Sequence, residues 1–125
     1  MKSPESPSKS EVREEYIEAL SEFSEQLSEI LDEGVSIEYI DGTYEIETDN
    51  LTLTFAIDDG IFEIRLIDTH GVSGMGGNVL NVIHAYSEEN NLDVIASNVV
   101  DEARGFWEKN GYQEGEEEGQ FFRSA

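Results

Sequence analysis

Apolar residues recur at helical spacing in the first part of this chain. Seven of them lie three or four positions apart with acidic residues and serines between: Val12, Tyr16, Leu20, Phe23, Leu27, Ile30 and Leu31. This spacing predicts an amphipathic helix of about 22 residues that begins at Glu11, stops near Gly34 and buries one stripe. Packing on a sheet is favoured over a coiled-coil dimer, because the repeat falls short of the roughly three to four heptads typical of coiled coils.

The following residues alternate between apolar and polar and predict four strands, at residues 35–39, 44–48, 51–57 and 61–67. Asp41-Gly42 joins the first two as a hairpin, and Asp58-Asp59-Gly60 joins the last two. An antiparallel meander is the simplest arrangement, with one face on the core and the long helix packed against that face.

The pattern changes after Ile67. A glycine-rich turn at 71–77 precedes a helical face at 79–86, a strand at 93–98, a helix at 101–112 ended by Asn110-Gly111, and a closing hairpin of 112–115 with 120–123. Strand, helix and strand in succession imply a right-handed crossover and a parallel pair. The predicted fold class is therefore α/β (α+β) with a mixed sheet. Residues 11–125 are expected to form a single domain, and residues 1–10, which contain both prolines, a disordered tail.

The glycine-rich turn is a candidate anion site. Glycines allow a ligand to approach the backbone closely, and the first N–H groups of a helix favour phosphate. We expect the N–H groups of Gly74, Met75, Gly76 and Gly77 to be available for such a contact. A plain strand-to-helix turn is the alternative.

Charge is the unusual feature of the composition. The chain has 29 acidic residues against 7 Lys and Arg, which gives a net charge of −22. At molar salt the Debye length is about 3 Å, so self-repulsion of this size is screened. We interpret the composition as adaptation to a hypersaline cytoplasm, and it disfavours direct binding to nucleic acid or an anionic membrane. No cysteine and no membrane-spanning or signal-like apolar run is present, so a cytoplasmic protein is expected.

Two segments resemble the GCN5-related N-acetyltransferase family. The family's pyrophosphate loop, Gln/Arg-x-x-Gly-x-Gly/Ala, is similar to residues 71–76, from Gly71 to Gly76. Its later signature, an Asn followed by Ala-x-x-Phe-Tyr-x-Lys-x-Gly-Phe, is similar to Asn98 and residues 103–112. The two segments stand in the family's order and cover roughly the C-terminal half of the chain. The resemblance implies a domain that binds acetyl-CoA and transfers acetyl to a small-molecule or peptide amine.

The resemblance also implies which residues contact the cofactor. The pyrophosphate would bind Gly71, Gly74, Met75, Gly76 and Gly77, and the pantetheine arm would pair with backbone at Ile64 and Leu66 as an added strand. Further cofactor contacts are expected at Asn98, Phe106 and Trp107. Asn98 is equally consistent with a turn or helix cap, and Trp107 with core packing.

Two positions depart from the family pattern. Gly71 stands where the family has Gln or Arg, and Trp107 where it often has a tyrosine that protonates the leaving thiolate. An indole N–H only donates hydrogen bonds and is no acid near neutral pH. Catalysis is therefore less firmly predicted than cofactor binding.

Glu63, Asp68 and His70 are candidate catalytic bases, because they lie near the end of the central strand; each is also consistent with an ordinary surface group. His84 is predicted to face solvent, and no metal-ligand spacing is present. The chain is expected to be a monomer or homodimer.

Two other functions remain open. A degenerate member of the fold could act as a binding or regulatory module, which the departures at Gly71 and Trp107 favour. An acidic protein could also imitate DNA and occupy a nucleic-acid-binding protein. Such a mimic predicts charge in rows on one face, whereas Asp and Glu occur here in nearly every segment, so halophilic adaptation is favoured.

Overall fold

The computed structural model describes residues 20–123, so the predicted tail and the first part of the predicted long helix lie outside the described residues. Within that range the helices are α1 (Ser21–Leu31), α2 (Met75–Glu89) and α3 (Arg104–Lys109), the last preceded by a 3₁₀ turn at Asp101–Ala103. The strands are β1 (Glu38–Ile40), β2 (Thr43–Glu47), β3 (Thr52–Asp58), β4 (Ile61–Asp68), β5 (Asp93–Ala96), β6 (Gln113–Glu114) and β7 (Phe121–Arg123).

The strands of residues 20–123 form one mixed sheet in the order β1-β2-β3-β4-β5-β7-β6. Strands β4 and β5 are parallel, and every other neighbouring pair is antiparallel. Helix α2 makes the crossover between the parallel strands, as the sequence predicts. The predicted meander, mixed sheet and closing hairpin are confirmed.

Both predicted Asp-Gly hairpin turns are present. Asp41 and Gly42 have φ of 49° and 83°, and Asp59 and Gly60 have φ of 51° and 75°. Two consecutive residues with positive φ define the type I′ turn, whose twist matches that of the joined strands. Strand β1 is shorter than predicted, because pairing with β2 begins only at Glu38 opposite Glu45.

The core lies on one face of the sheet, which we call the helical face. The Phe23 ring of α1 lies 5.7 Å from Phe55, 6.0 Å from Phe62 and 5.3 Å from Tyr86 of α2, measured between ring centroids. The predicted stripe of α1 is buried at Leu20, Phe23, Leu27 and Leu31. Helices α1 and α2 therefore bury their apolar stripes together on β3 and β4.

The helix α1 ends at Leu31, with Asp32 rather than Gly34 in the left-handed conformation. Just beyond it, the Glu33 carboxylate accepts hydrogen bonds from Thr48 Oγ1 at 2.8 Å and from the N–H groups of Asp49 and Asn50 at 3.1 Å. These contacts tie the end of α1 to the β2–β3 turn. Burial opposes ionisation of this carboxyl, but the hydrogen bonds from Thr48, Asn50 and Asp49 lower the pKa of Glu33 below its ordinary value.

The prediction that His84 faces solvent is wrong. His84 is buried on α2, and its Nε2 lies 2.7 Å from the hydroxyl of Tyr112, which follows α3. Helix α2 packs against α3 as well as against the sheet, so a polar residue can be buried if it finds a partner there. Burial, and to a smaller extent the charge of Arg123, lower the pKa of His84 to about 4, and Glu88 opposes this shift.

The opposite face of the sheet, which we call the open face, carries Glu45, Glu47, Thr52 and Thr54 on β2 and β3. Three exposed apolar side chains of the strands also lie there: Ile40, Leu66 and Phe122. No helix within residues 20–123 is long and apolar enough to cross a membrane.

Candidate functional site

Strands β4 and β5 separate halfway along β4. Their pairing ends at Ile64 opposite Ala96, followed by a last hydrogen bond from the N–H of Ser97 to the carbonyl of Ile64 at 3.0 Å. The remaining residues of β4, from Arg65 to Asp68, lie beside β3 only, among the described strands. In the β3–β4 ladder Phe55 pairs with Ile64 and Thr54 with Leu66, so Arg65 is the extra residue of a β-bulge. A bulge increases the local twist, which accounts for the parting of the strands.

A cleft fills the gap between the separated strands. At the apex, a cavity of about 200 Å³ is lined by β4 from Ile64 to Ile67 and by the segment 97–100. Towards the mouth, a second cavity of about 240 Å³ is lined by Asp68, Thr69, Gly76 and Phe106. Ile67, Ala103 and Trp107 line both cavities. The cleft therefore runs along the free edge of β4 from Ser97 to the start of α2.

The start of α2 presents backbone N–H groups at the mouth of the cleft. Gly74 precedes the helix with φ of 76°, a conformation that glycine adopts without strain, and no side chain caps the helix. The N–H of Met75 donates to the carbonyl of Val72 at 3.3 Å. Among residues 20–123, no oxygen accepts a hydrogen bond from the N–H of Gly76 or Gly77. Free N–H groups and the helix dipole make this end of α2 favourable for an anion.

Gly76 has a second role in packing. A Cβ on Gly76 would lie 2.9 Å from Cε1 and 3.0 Å from Cζ of Phe106, so α3 approaches α2 as closely as glycine permits. A Cβ on Gly77 would meet only Asn110 Oδ1, at 3.8 Å. Of these two glycines, Gly76 is therefore the one that the packing of α3 on α2 requires.

Trp107 is both a core residue and a wall of the cleft. Its side chain is 4% exposed, and its ring lies 5.2 Å from Phe106 and 4.9 Å from Tyr112. The hydroxyl of Tyr112 in turn contacts His84. The packing role considered for Trp107 from the sequence is thus present, together with a position beside both cavities.

The three candidate bases fall into two groups. Asp68 and His70 lie at the mouth, where the N–H of His70 donates to Asp68 Oδ1 at 2.9 Å and His70 Nε2 lies 3.0 Å from Thr52 Oγ1. Glu63 lies on the other side of the apex and accepts a hydrogen bond from Arg65 Nε at 3.0 Å. Arg65 Nη1 also donates to Thr43 Oγ1 at 2.7 Å. Their partners on β3, Ala56 and Thr52, are four residues apart, about 13 Å along the strand. Glu63 and Asp68 therefore do not form one cluster.

The segment after β5 closes the apex. Asn98 has φ of 58° and lines the cavity there. Ser97 Oγ lies 3.5 Å from the carbonyl of Ile64, at the limit of a hydrogen bond. The sequence reasoning missed Ser97 and Arg65 as residues of the cleft. In the sequence, Ser97 is the first polar residue after a buried strand, and the alternation of apolar and polar residues is irregular around Arg65. Within the part of the chain described here, no group of His, Asp and Glu side chains is arranged to hold a metal ion.

A seven-strand mixed sheet that parts between a bulged strand and its parallel neighbour, beside a glycine-rich helix start, is the fold of the GCN5-related N-acetyltransferases. Solved structures that share it include the following two. The anti-CRISPR protein AcrVA5 matches with a TM-score of 0.57 and 14% identity, over 66% of this chain and 99% of AcrVA5. YhhK from E. coli, a candidate N-acetyltransferase whose structure is bound to coenzyme A, matches with a TM-score of 0.50 and 15% identity, over 82% of this chain and 88% of YhhK.

The resemblance seen in the sequence is thereby confirmed at the level of the fold. No protein-family model matches the sequence, and no curated protein sequence is significantly similar to it. Fold alone does not define activity, which must be argued from the cleft.

Proposed function

We propose that this protein binds acetyl-CoA in the cleft between β4 and β5 and transfers the acetyl group to an amine. The observation that carries the proposal is the pair of free N–H groups at Gly76 and Gly77, at the mouth of a cleft between two separated strands. The coenzyme A bound to YhhK, which has the same fold, supports it. Such a ligand needs a cradle for its diphosphate and an extended groove for its pantetheine arm, and the cleft has both elements.

The shape of the cleft determines the orientation in which acetyl-CoA would bind. The diphosphate would bind at the N-terminus of α2, together with the backbone of Gly71 and Gly74 in the preceding loop. The pantetheine amides would pair with the free edge of β4, as an added strand does. That edge begins after Ile64, because the Ile64 carbonyl already accepts the N–H of Ser97. The thioester would then lie at the apex, beside Arg65, Leu66 and Asn98.

In this orientation of acetyl-CoA, the candidate bases differ in their distance from the thioester. Asp68 lies three residues of the β3 ladder beyond Ile64, about 10 Å along the strand, at the diphosphate end. Glu63 lies just beyond the apex, one residue before Ile64, where β4 and β5 are still joined. We therefore propose Glu63 as the base that accepts a proton from the attacking amine, with Arg65 holding its carboxylate in place.

The acetyl transfer needs a hydrogen-bond donor for the oxyanion as well as a base for the amine. The amine nitrogen attacks the thioester carbonyl, a tetrahedral oxyanion forms, and the C–S bond breaks to release the thiolate, which takes up a proton. The hydroxyl of Ser97 lies at the apex and would donate a hydrogen bond to the developing negative charge. Trp107 remains a wall of the cleft rather than an acid.

A second candidate function is a coenzyme A-binding regulatory module without transfer activity. The observation that favours it is the lining of the apex cavity. Among the described residues that line this cavity, no side chain is a carboxylate, histidine or tyrosine. A transferase would have to use Glu63 from just outside the cavity, whereas a binding module would need no such group.

Calorimetric titration with coenzyme A in molar KCl tests the site. Gly77→Ala keeps the N–H and has room for the added methyl group, so this control should bind like the wild type. Gly77→Asp keeps the N–H but places a negative charge there, which favours the helix and repels a diphosphate. We expect binding to fall at least about tenfold in Gly77→Asp with folding retained. Equal affinity in both variants would reject this diphosphate site, and no binding by the wild type would reject the function.

Turnover separates the two candidate functions. If coenzyme A binds, release of free thiol from acetyl-CoA in the presence of a panel of amines should exceed the rate without amine. Binding without amine-dependent thiol release would favour the regulatory module.

A further inference from the structure

A separate cavity lies on the open face, at the far end of β4 from the cleft. It has a volume of about 310 Å³. Its floor is formed by Ile61, Ile95 and Phe122, one side chain from each of three neighbouring strands. Nothing in the proposed acetyl transfer uses this cavity, because the cleft opens at the opposite end of β4.

The apolar floor of the cavity includes an exposed aromatic side chain, that of Phe122. Phe121 and Phe122 are consecutive and point to opposite faces of the sheet: Phe121 is 1% exposed in the core, and Phe122 is 38% exposed on the open face. Phe122 pairs with Ile95 across β5 and β7, so the two side chains are neighbours. An exposed phenyl ring is a departure in a surface otherwise dominated by carboxylates, and exposed aromatic side chains in cavities often mark contact sites.

One wall of the cavity is the β6–β7 loop, and hydrogen bonds hold this loop in place. The β6–β7 loop is closed by hydrogen bonds from the N–H of Gly115 to the carbonyl of Gln120 at 2.6 Å and from the N–H of Gln120 to Glu117 at 3.1 Å. The carbonyl of Gly119 also accepts the N–H of Val99 at 2.8 Å. A preformed cavity binds a ligand with little loss of conformational entropy.

The rim of the cavity is anionic, whereas its floor is apolar. Asp93, Glu116 and Glu117 line it. Among the described residues that line the cavity, the cation is Arg123, whose guanidinium reaches Glu88 of α2 at 3.6 Å, on the helical side. The cavity therefore combines an apolar floor, an aromatic ring and an anionic rim. An occupant that matches all three has an aliphatic stem and a cationic end, as lysine and arginine side chains do.

We propose that this cavity binds a lysine or arginine side chain of a partner protein, presented on a basic segment. The aliphatic stem lies on Ile95 and Phe122, and the cationic end lies between the carboxylates of the rim. The volume suits one such side chain and not a folded element.

The test uses a capped glycine–serine peptide with one central arginine and the same peptide with citrulline, which has the same shape without the charge. Binding is followed by NMR of the full chain in molar KCl, because the net charge of −22 would attract any cation at low salt. We expect the arginine peptide to shift the amide resonances of Ile95, Gly115 and Phe122, and the citrulline peptide to bind at least about fivefold more weakly.

Three variants distinguish binding at this cavity from general electrostatic attraction: two alter the cavity, and the third is a control. Phe122→Ser removes the exposed ring and should weaken binding about fivefold. Glu116→Gln with Glu117→Gln removes rim charge, while Glu45→Gln with Glu47→Gln removes the same charge elsewhere on the open face. Only the first pair should weaken binding. Shifts spread over the whole acidic surface, equal binding of citrulline, or equal effects of the two pairs would overturn the proposal.

Discussion

The contact between Gly76 and Phe106 gives the sharpest prediction about the fold around the cleft. Substitution Gly76→Ala would place a methyl group 2.9 Å from Cε1 of the Phe106 ring, well inside ordinary carbon–carbon contact at about 3.5–4.0 Å. The ring or α3 must therefore shift by roughly 0.5–1 Å. Overpacking of this kind destabilises by about 1–3 kcal/mol, whereas alanine is favoured over glycine inside a helix by up to about 1 kcal/mol.

Gly77→Ala is the matched control for this substitution. It gains the same helix propensity at the neighbouring position, and its Cβ would meet only Asn110 Oδ1 at 3.8 Å. We therefore expect Gly76→Ala to be less stable than Gly77→Ala by about 1–3 kcal/mol, since the helix term cancels in the comparison. Urea unfolding of both variants in molar KCl measures this difference.

A third substitution isolates the clash. Phe106→Leu removes the ring edge that the new methyl group would contact, so the penalty of Gly76→Ala should shrink in the Phe106→Leu background. The coupling energy of this double-mutant cycle should be at least about 0.5 kcal/mol. Equal stability of the two alanine variants, or no coupling with Phe106, would show that α3 does not pack on α2 as described.

Three further predictions concern catalysis and stability. Glu63→Gln should lower the rate of amine-dependent thiol release at least about a hundredfold and leave the affinity for coenzyme A unchanged. Asp68→Asn should retain the rate of the wild type. The reverse result would mean that the base is Asp68, at the mouth of the cleft. The pKa of His84 is lowered from 6.5 to about 4 in the folded protein, so its contribution to stability is complete above pH 6.5 and is lost as the pH falls towards 4. Relative to His84→Gln, the wild type should lose about 2 kcal/mol of unfolding free energy between pH 7 and pH 5, and parallel profiles would contradict the burial of His84. Glu33→Gln should lower the melting temperature more than Glu29→Gln on the exposed side of α1, and this difference should diminish as the pH falls below the ordinary pKa of 4.5.

The hairpins and the crossover were predictable because local signals determine them. Asp41-Gly42 and Asp59-Gly60 adopt the positive φ pair of a type I′ turn almost regardless of the rest of the protein. Alternation along β3 and β4 then determines which side chains enter the core. The parallel pairing of β4 with β5 follows from a crossover that connects them through one helix.

The errors arise where a distant part of the chain decides the outcome. His84 occupies a position that its own helix leaves undetermined, and only the arrival of Tyr112, 28 residues later, supplies a buried partner. The sequence also offers Glu63 and Asp68 as alternative candidate bases, and which of them acts stays a prediction. The strand separates them, and only the position where β5 leaves β4 indicates which of them lies near the apex. No sequence window contains that information.

The acidic composition and the proposed cofactor site are consistent for a physical reason. A diphosphate site built from lysine and arginine weakens as salt rises, because salt screens the attraction. The groups proposed here are the N–H groups of Gly76 and Gly77, which carry no formal charge, in a chain of net charge −22. Salt then screens mainly the repulsion between protein and coenzyme A. We therefore expect coenzyme A affinity to increase between 0.1 M and 1 M KCl, where the Debye length falls from about 10 Å to about 3 Å. An affinity that decreases over this range in calorimetric titration would mean that a cationic side chain holds the diphosphate.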